Sequence, residues 1–248
     1  MTIRTTHPRA GRAARRAVPW PPLGLDAQVT VVIPTKNEEG LIAEIIESAR
    51  PHAAEILVVD GHSTDRTRDI ATEMGARVVL DAGCGKGEAL RRSFVEARHD
   101  ILVFIDADGS HEPKDIPLLV EPILRGDAEL VIASRTRGGS DELHGTAEQL
   151  LRYIGSQLIM LAINYRWQVR LTDSQNGFRA LRRDAARALR LKSNLTTIEQ
   201  EMLMRALKCG CRVVEIPSHE FERRWGVSKV SVWRLWWAYV WSLVRNIF

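Results

Sequence analysis

The sequence predicts an α/β fold: a mostly parallel sheet with helices on both faces. Two observations predict it. Between residues 29 and 134, five strand-like runs alternate with helical ones, which is the rhythm of βαβ units. The strand runs are continuously apolar, as expected of strands buried on both faces. With 248 residues, 45% of them hydrophobic, the chain is long enough for one large domain with a sizeable core.

The elements follow in order. VTVVIP (29–34) precedes a helix over 41–49, and EILVVD (55–60) one over 65–74. RVVLD (77–81) precedes a helix over 88–97, and ILVFID (101–106) one over 114–124; ELVIAS (129–134) closes the series. The rhythm then changes. A TRGGS loop leads to an amphipathic helix over 146–165, followed by the polar loop TDSQNG. Two helical runs flank 192–197, CRVVEIP (211–217) reads as a final strand, and the chain ends in a Trp-rich helix over 231–248. Residues 29–230 form the expected main domain. Residues 1–28, rich in Arg, Ala and Pro, read as a disordered basic arm rather than a secretory signal.

The net charge of +4 favours anionic partners such as phosphates or an acidic membrane surface; no nucleic-acid partner is expected. Cys84, Cys209 and Cys211 have neither zinc nor disulfide spacing, so a reducing, cytoplasmic compartment is the simplest reading. No run reaches the roughly 18 apolar residues of a spanning helix. In the terminal helix Ser231, Arg234, Ala238, Ser242 and Arg245 form one narrow stripe, and nearly all the rest is apolar. That pattern suits a helix lying in a membrane interface, or one packed on another subunit.

Three strand runs end in polar residues: PTKNEE (34–39), VVDGHSTDRT (58–67) and DAD (106–108). In an open α/β sheet ligands sit at the carboxyl ends of strands. Asp106 and Asp108 there suit a hard divalent cation that also holds substrate phosphates; alone, the pair also reads as a solvated turn with a helix cap. VLDAGCGKG (79–87) resembles the glycine-rich motif of S-adenosylmethionine-dependent methyltransferases. Two strand–helix units precede it, however, where that motif normally sits on the first strand, and a lone glycine motif is weak. His62 and His111 read as loop or capping residues.

IPTKNE, VVDGHSTD, GKGEALRRSF, DADGSHEP, ASRTRGG, DSQNGFRALRRD, EQEMLMRA and EIPSHEFERRWGVSK occur in this order. With them the chain resembles the GT-A, family 2 glycosyltransferases, and among these the polyprenyl-phosphate (dolichyl-phosphate) mannosyl and glucosyl transferases. The resemblance implies a GT-A fold with amphipathic interfacial helices. It sets Pro34, Asn37 and Glu38 along the donor nucleoside, and Asp60 on its base or ribose. Asp106 and Asp108, with Ala107 between them, form the metal and diphosphate site, and Lys86 belongs to the donor site. Arg135 matches an arginine facing the acceptor phosphate. Arg152 and Ser156 match residues on the helix that meets the lipid, and Arg223 and Lys229 match basic residues closing over the diphosphate. Glu201 reads either as an orienting acid near the sugar or as part of a solvated helix face. The family's second Asp after Asp60 is here Gly61, an amide that can serve as third metal ligand is Ser110, and the Phe of the PxxF pattern comes one place late, at Phe221.

The implied reaction is inverting transfer of a sugar from a nucleoside diphosphate donor to a polyprenyl phosphate, with Mg²⁺ or Mn²⁺, at the inner face of the membrane. Mannose from GDP-mannose is favoured, and UDP-glucose or another UDP-sugar is the alternative. An acceptor phosphate is already anionic near neutral pH, so it needs cations rather than a strong base. Arg135 and Arg152 have the planar fork that suits phosphate, and Arg152 and Ser156 share a helix face. Ile159, Met160 and Ile163 continue that helix as a place for a prenyl chain; the other reading is an ordinary core helix with a surface Arg. A methyltransferase and a non-catalytic lipid-associated protein are the readings of another class.

Overall fold

The computed structural model describes residues 20–21, 23–24, 26–141, 147–225 and 232–247. Seven strands form one sheet: β1 Val29–Thr35, β2 Glu55–Asp60, β3 Arg77–Leu80, β4 Ile101–Phe104, β5 Leu130–Ser134, β6 Arg179–Arg182 and β7 Val213–Pro217. Their order is β3-β2-β1-β4-β6-β5-β7. Only β6 runs antiparallel, to β4 and to β5. Successive side chains of a strand point to opposite faces, so neighbours in β1 belong to different cores. Val31 and Ile33 join one apolar cluster and Val32 the other, as do Val103 and Leu102 in β4.

The helices cover both faces. The first cluster packs under α1 (Ile42–Ala49), α2 (Thr67–Glu73) and α4 (Ile116–Leu124). The other packs under α3 (Lys86–Glu96), α6 (Ala147–Trp167), α7 (Arg183–Ala188) and α8 (Ile198–Lys208). A short turn of helix, α5 (Arg135–Gly138), follows β5, and α9 (Val232–Ile247) packs on α6 and α8.

β1 lies between β2 and β4, and the chain winds outward in opposite directions from it. The carboxyl ends of these strands therefore open a crevice where the winding reverses. Thr35 is in register with Asp60 and Val32 with Phe104, so the polar segments that follow the strands meet at one edge.

Three expectations need correction. β6 is a strand that the sequence pattern does not announce: Arg179 and Arg182 are both buried in it. They are satisfied by carbonyls of Ser174, Asn176, Glu199 and Pro21 and by the Asp184 carboxylate. Ile159, Met160 and Ile163 are core residues. The open apolar face of α6 is instead Leu151, Ile154, Leu158, Leu161 and Tyr165. The end of the N-terminal arm lies on the core through Trp20 and Leu23, while residues 1–19 are outside the described part. Among the described residues no helix is long and apolar enough to cross a membrane.

Candidate active site

After β1, Asn37 takes a left-handed backbone (φ 60°), a conformation Asn tolerates better than most residues. Its amide N–H donates to Ser63 Oγ, and its Oδ1 accepts from the Thr64 amide at 2.8 Å. The Glu38 amide donates to Thr67 Oγ1. Asn37 is thus a staple between the loops after β1 and β2. Asp60 is fully buried, and its two oxygens accept from the Ser63 amide and hydroxyl. It caps its own turn, contrary to the expectation that it faces the nucleoside. The carboxylates that do line the cavity beside Gly61 are Glu38 and Asp81, the latter just past β3. Sequence reasoning passed over Asp81 because it was absorbed into the glycine-rich motif.

That cavity, of about 240 Å³, is lined by Pro34, Glu38, Gly61, Asp81 and Lys86, among others. Lys86 is the first residue of α3. Its Nζ lies 2.7 Å from Asp106 Oδ1 and 2.9 Å from Glu199 Oε1. Burial works against the ammonium charge, but Asp106 and Glu199 overcome it and hold Lys86 well above its ordinary range. Burial likewise opposes ionisation of Asp106, yet Lys86 and then His111 hold it well below the usual carboxylate range. His111 stands with Nε2 3.7 Å from Asp106 and its ring stacked on Phe178.

Two close approaches fix this geometry. A Cβ at Gly87 would lie 2.1 Å from the Ser193 carbonyl oxygen, and one at Gly177 would lie 2.6 Å from Asp106 Oδ2. The GKG turn therefore sits directly on the 192–197 loop, and the turn before β6 sits directly on Asp106.

Asp108 accepts from the Ser110 amide and hydroxyl through Oδ1 and pairs with Arg223 at 2.8 Å through Oδ2. Ala107, between the two aspartates, is buried. The segment that follows β7 folds over this turn. The Phe221 amide donates to Ser110 O, the Arg224 amide to Asp108 O, and the Trp225 ring covers Gly40. Lys229 lies outside the described residues.

Burial first, and then the charge of Asp108 with Asp106 and Asp65 beyond it, pushes the Glu38 carboxyl up to about 7, with Arg223 opposing. Its Oε2 is buried without a partner among the described residues. The edge thus gathers several hard oxygen donors: Glu38, Asp106 and Asp108. No group of three or more His, Cys, Asp or Glu arranged to hold a metal occurs among the described residues. Asp106 and Asp108 fit a divalent cation of the kind that takes one or two carboxylates and completes its sphere with water and substrate phosphates.

The other expected residues stand elsewhere. Arg135 is held by Asp173 at 2.7 and 3.1 Å and by Glu220 at 3.3 Å. Burial disfavours its charge, but these carboxylates more than restore it. It anchors the DSQNG loop to the end of β5 and does not stand open to an acceptor. Glu201 is buried as well: its carboxylate accepts from the amides of Lys192 and Ser193. It shapes that loop, and neither the solvated nor the sugar-facing reading describes it. Glu199, two residues earlier, is the acid of α8 that reaches Lys86; the sequence pattern does not distinguish the two. Arg152 is exposed on α6, and Ser156 Oγ donates to the Tyr153 carbonyl on the same helix.

The family model for Glycosyl transferase family 2 matches residues 30–190. The chain is 36% identical over 222 residues to an undecaprenyl-phosphate mannosyltransferase of Micrococcus luteus, covering 82% of this chain and 88% of that protein. It is 33% identical over 193 residues to a low-salt glycan biosynthesis hexosyltransferase of Haloferax volcanii, covering 76% of this chain. It spans only 46% of that relative's length. Among solved structures it resembles glucosyl-3-phosphoglycerate synthase of Mycobacterium tuberculosis in complex with Mn²⁺, UDP-glucose and phosphoglyceric acid. That match has a TM-score of 0.68 and 26% identity, over 90% of this chain and 80% of that one. The fold is that of the GT-A glycosyltransferases. The chain belongs to glycosyl transferase family 2, and the methyltransferase reading of VLDAGCGKG falls with that finding.

Proposed function

We propose that this protein transfers a hexose from a nucleoside diphosphate sugar to a polyprenyl phosphate, with mannose from GDP-mannose as the favoured donor. The observation that carries the reading is the convergence of Glu38, Lys86, Asp106, Asp108 and Arg223 at the edge where β1, β2 and β4 end. The likeness to an undecaprenyl-phosphate mannosyltransferase over most of both chains supports the acceptor class.

The acceptor phosphate oxygen attacks the anomeric carbon. The bond from that carbon to the diphosphate oxygen breaks, and the nucleoside diphosphate leaves with the electron pair, inverting the centre. A divalent cation, Mg²⁺ or Mn²⁺, on Asp106 and Asp108 supplies charge stabilisation for the leaving diphosphate. Arg223, half-exposed beside Asp108, is the protein cation able to turn toward that diphosphate. Lys86 holds Asp106 ionised. Asp81 and Pro34 border the nucleoside, and Arg152 on α6 meets the acceptor phosphate. The apolar faces of α6 and α9, including Trp237 and Trp241, rest on the cytoplasmic leaflet. Lys229 is assigned to the diphosphate with Arg223.

A UDP-sugar is the second donor reading, favoured by the resemblance to an enzyme solved with UDP-glucose. Thermal shift with GDP, UDP and their sugars, with and without Mn²⁺, tests the site. Stabilisation by one nucleoside diphosphate that requires Mn²⁺ and is lost in Asp108→Ala is expected. Equal stabilisation of Asp108→Ala would remove the assignment.

A further inference from the structure

The terminal helix turns two of its polar residues, Ser242 and Asn246, inward and leaves Arg245 exposed. Ser242 and Asn246 are 7% and 3% exposed, while Trp237, Trp241 and Val244 face out. Tyr239 anchors the helix: its carbonyl accepts from Gln200 Nε2, and its hydroxyl donates to the Thr196 carbonyl. Between α9 and the 192–197 loop this leaves a second cavity of about 240 Å³. Ser242 and Asn246 line it, and their Oγ and Oδ1 atoms are buried without a hydrogen-bond partner among the described residues. Buried polar groups are normally paired, so two adjacent orphans in one cavity call for a ligand with both an acceptor and a donor.

The rim defines the rest of that ligand. Lys192 and Arg245, both exposed, stand at the cavity. The one carboxylate lining it, Glu201, is already occupied by the Lys192 and Ser193 amides, with Arg205 at 3.8 Å. Trp241 and Leu195, at the same cavity, are 66% and 54% exposed. Two cations, a hydroxyl donor, an amide acceptor and an apolar flank match a phosphodiester that carries a free hydroxyl on one side and hydrocarbon on the other.

We propose that this cavity binds the hydroxylated phosphodiester headgroup of an anionic membrane lipid, a site separate from the Asp106–Asp108 edge. The proposal rests on the reading that α9 lies on a membrane and goes beyond it by naming a headgroup pocket. It also links the membrane to the donor site, because carbonyls of the same loop abut Gly85 and Gly87 on either side of Lys86.

The test is sedimentation of the full chain with vesicles of phosphatidylcholine alone and of phosphatidylcholine mixed with phosphatidylglycerol. Wild type is expected to prefer the mixed vesicles. Ser242→Leu, which fills the cavity without changing charge, should lose that preference at an unchanged melting temperature. Lys192→Ala with Arg245→Ala should weaken binding to mixed vesicles about fivefold for each charge removed, and soluble glycerol phosphate should compete. A folded Ser242→Leu that keeps the preference overturns the proposal. Should that variant not fold, undiminished preference in the double alanine variant, whose side chains are exposed, overturns it equally. Competition by inorganic phosphate as strong as by glycerol phosphate makes this a free-phosphate site and overturns the lipid assignment. Binding to both vesicle types without preference overturns the headgroup site and leaves the membrane reading standing; binding to neither overturns both.

Discussion

Arg135 illustrates how a residue type and a neighbourhood separate. A lone Arg after a strand reads as a phosphate ligand, yet here its guanidinium is enclosed by Asp173 and Glu220. Removing one partner of a buried pair leaves the other charge uncompensated. Arg135→Ala is therefore expected to cost about 3 kcal/mol or more of stability, measured by urea denaturation; an unchanged midpoint with lost acceptor use would return Arg135 to the acceptor. Glu38 gives a pH test. Its carboxyl is raised from 4.5 to about 7, so the folded state holds the proton more tightly than the unfolded one. The stability this supplies is complete below about pH 4.5 and is lost as pH rises through 7. Glu38→Gln should thus raise the melting temperature relative to wild type at pH 8 and leave it nearly unchanged at pH 4.5. A difference of equal size at both pH values would contradict the raised carboxyl.

The apolar runs that became β1, β2, β4 and β5 were legible because burial on both faces makes a strand continuously hydrophobic. β6 was not, since its arginines are buried through hydrogen bonds to carbonyls that are remote in sequence. α9 was legible as a helix, but which of its polar residues turn inward was not: Ser242 is buried and Arg245 exposed on the same stripe, and tertiary packing decides. Two predictions belong to this scale. Gly87→Ala forces a methyl against the Ser193 carbonyl at the joint between α3 and the 192–197 loop. It should destabilise by about 1–3 kcal/mol, read from thermal or denaturant melts; a neutral outcome would mean the joint gives way freely. Trp237→Glu with Trp241→Glu alters only the outer face of α9. It should abolish vesicle binding while the melting temperature holds. Deleting the whole helix is the poorer experiment, because Tyr239 and Leu243 pack on the core.

Across the molecule, the site is the product of one reversal of winding. β1 sits between β2 and β4, and the carboxyl ends of the three strands deliver the loops that carry Glu38, Ser63 and Asp106. Those loops were identifiable in the sequence because the charged residues follow apolar runs directly. Which carboxylate lines the cavity or reaches Lys86 was not: Asp60 against Asp81 and Glu201 against Glu199 are settled by local hydrogen bonds, and neighbouring acids look alike in a string of letters. The most direct test of the central claim is incorporation of label from GDP-[¹⁴C]mannose into the organic phase, with undecaprenyl phosphate and Mn²⁺. The expected result is an acid-labile mannosyl phospholipid formed in step with released GDP, and none from Asp108→Ala. Equal labelling by Asp108→Ala, or labelled product only in the water phase with every sugar nucleotide and lipid phosphate supplied, would contradict it.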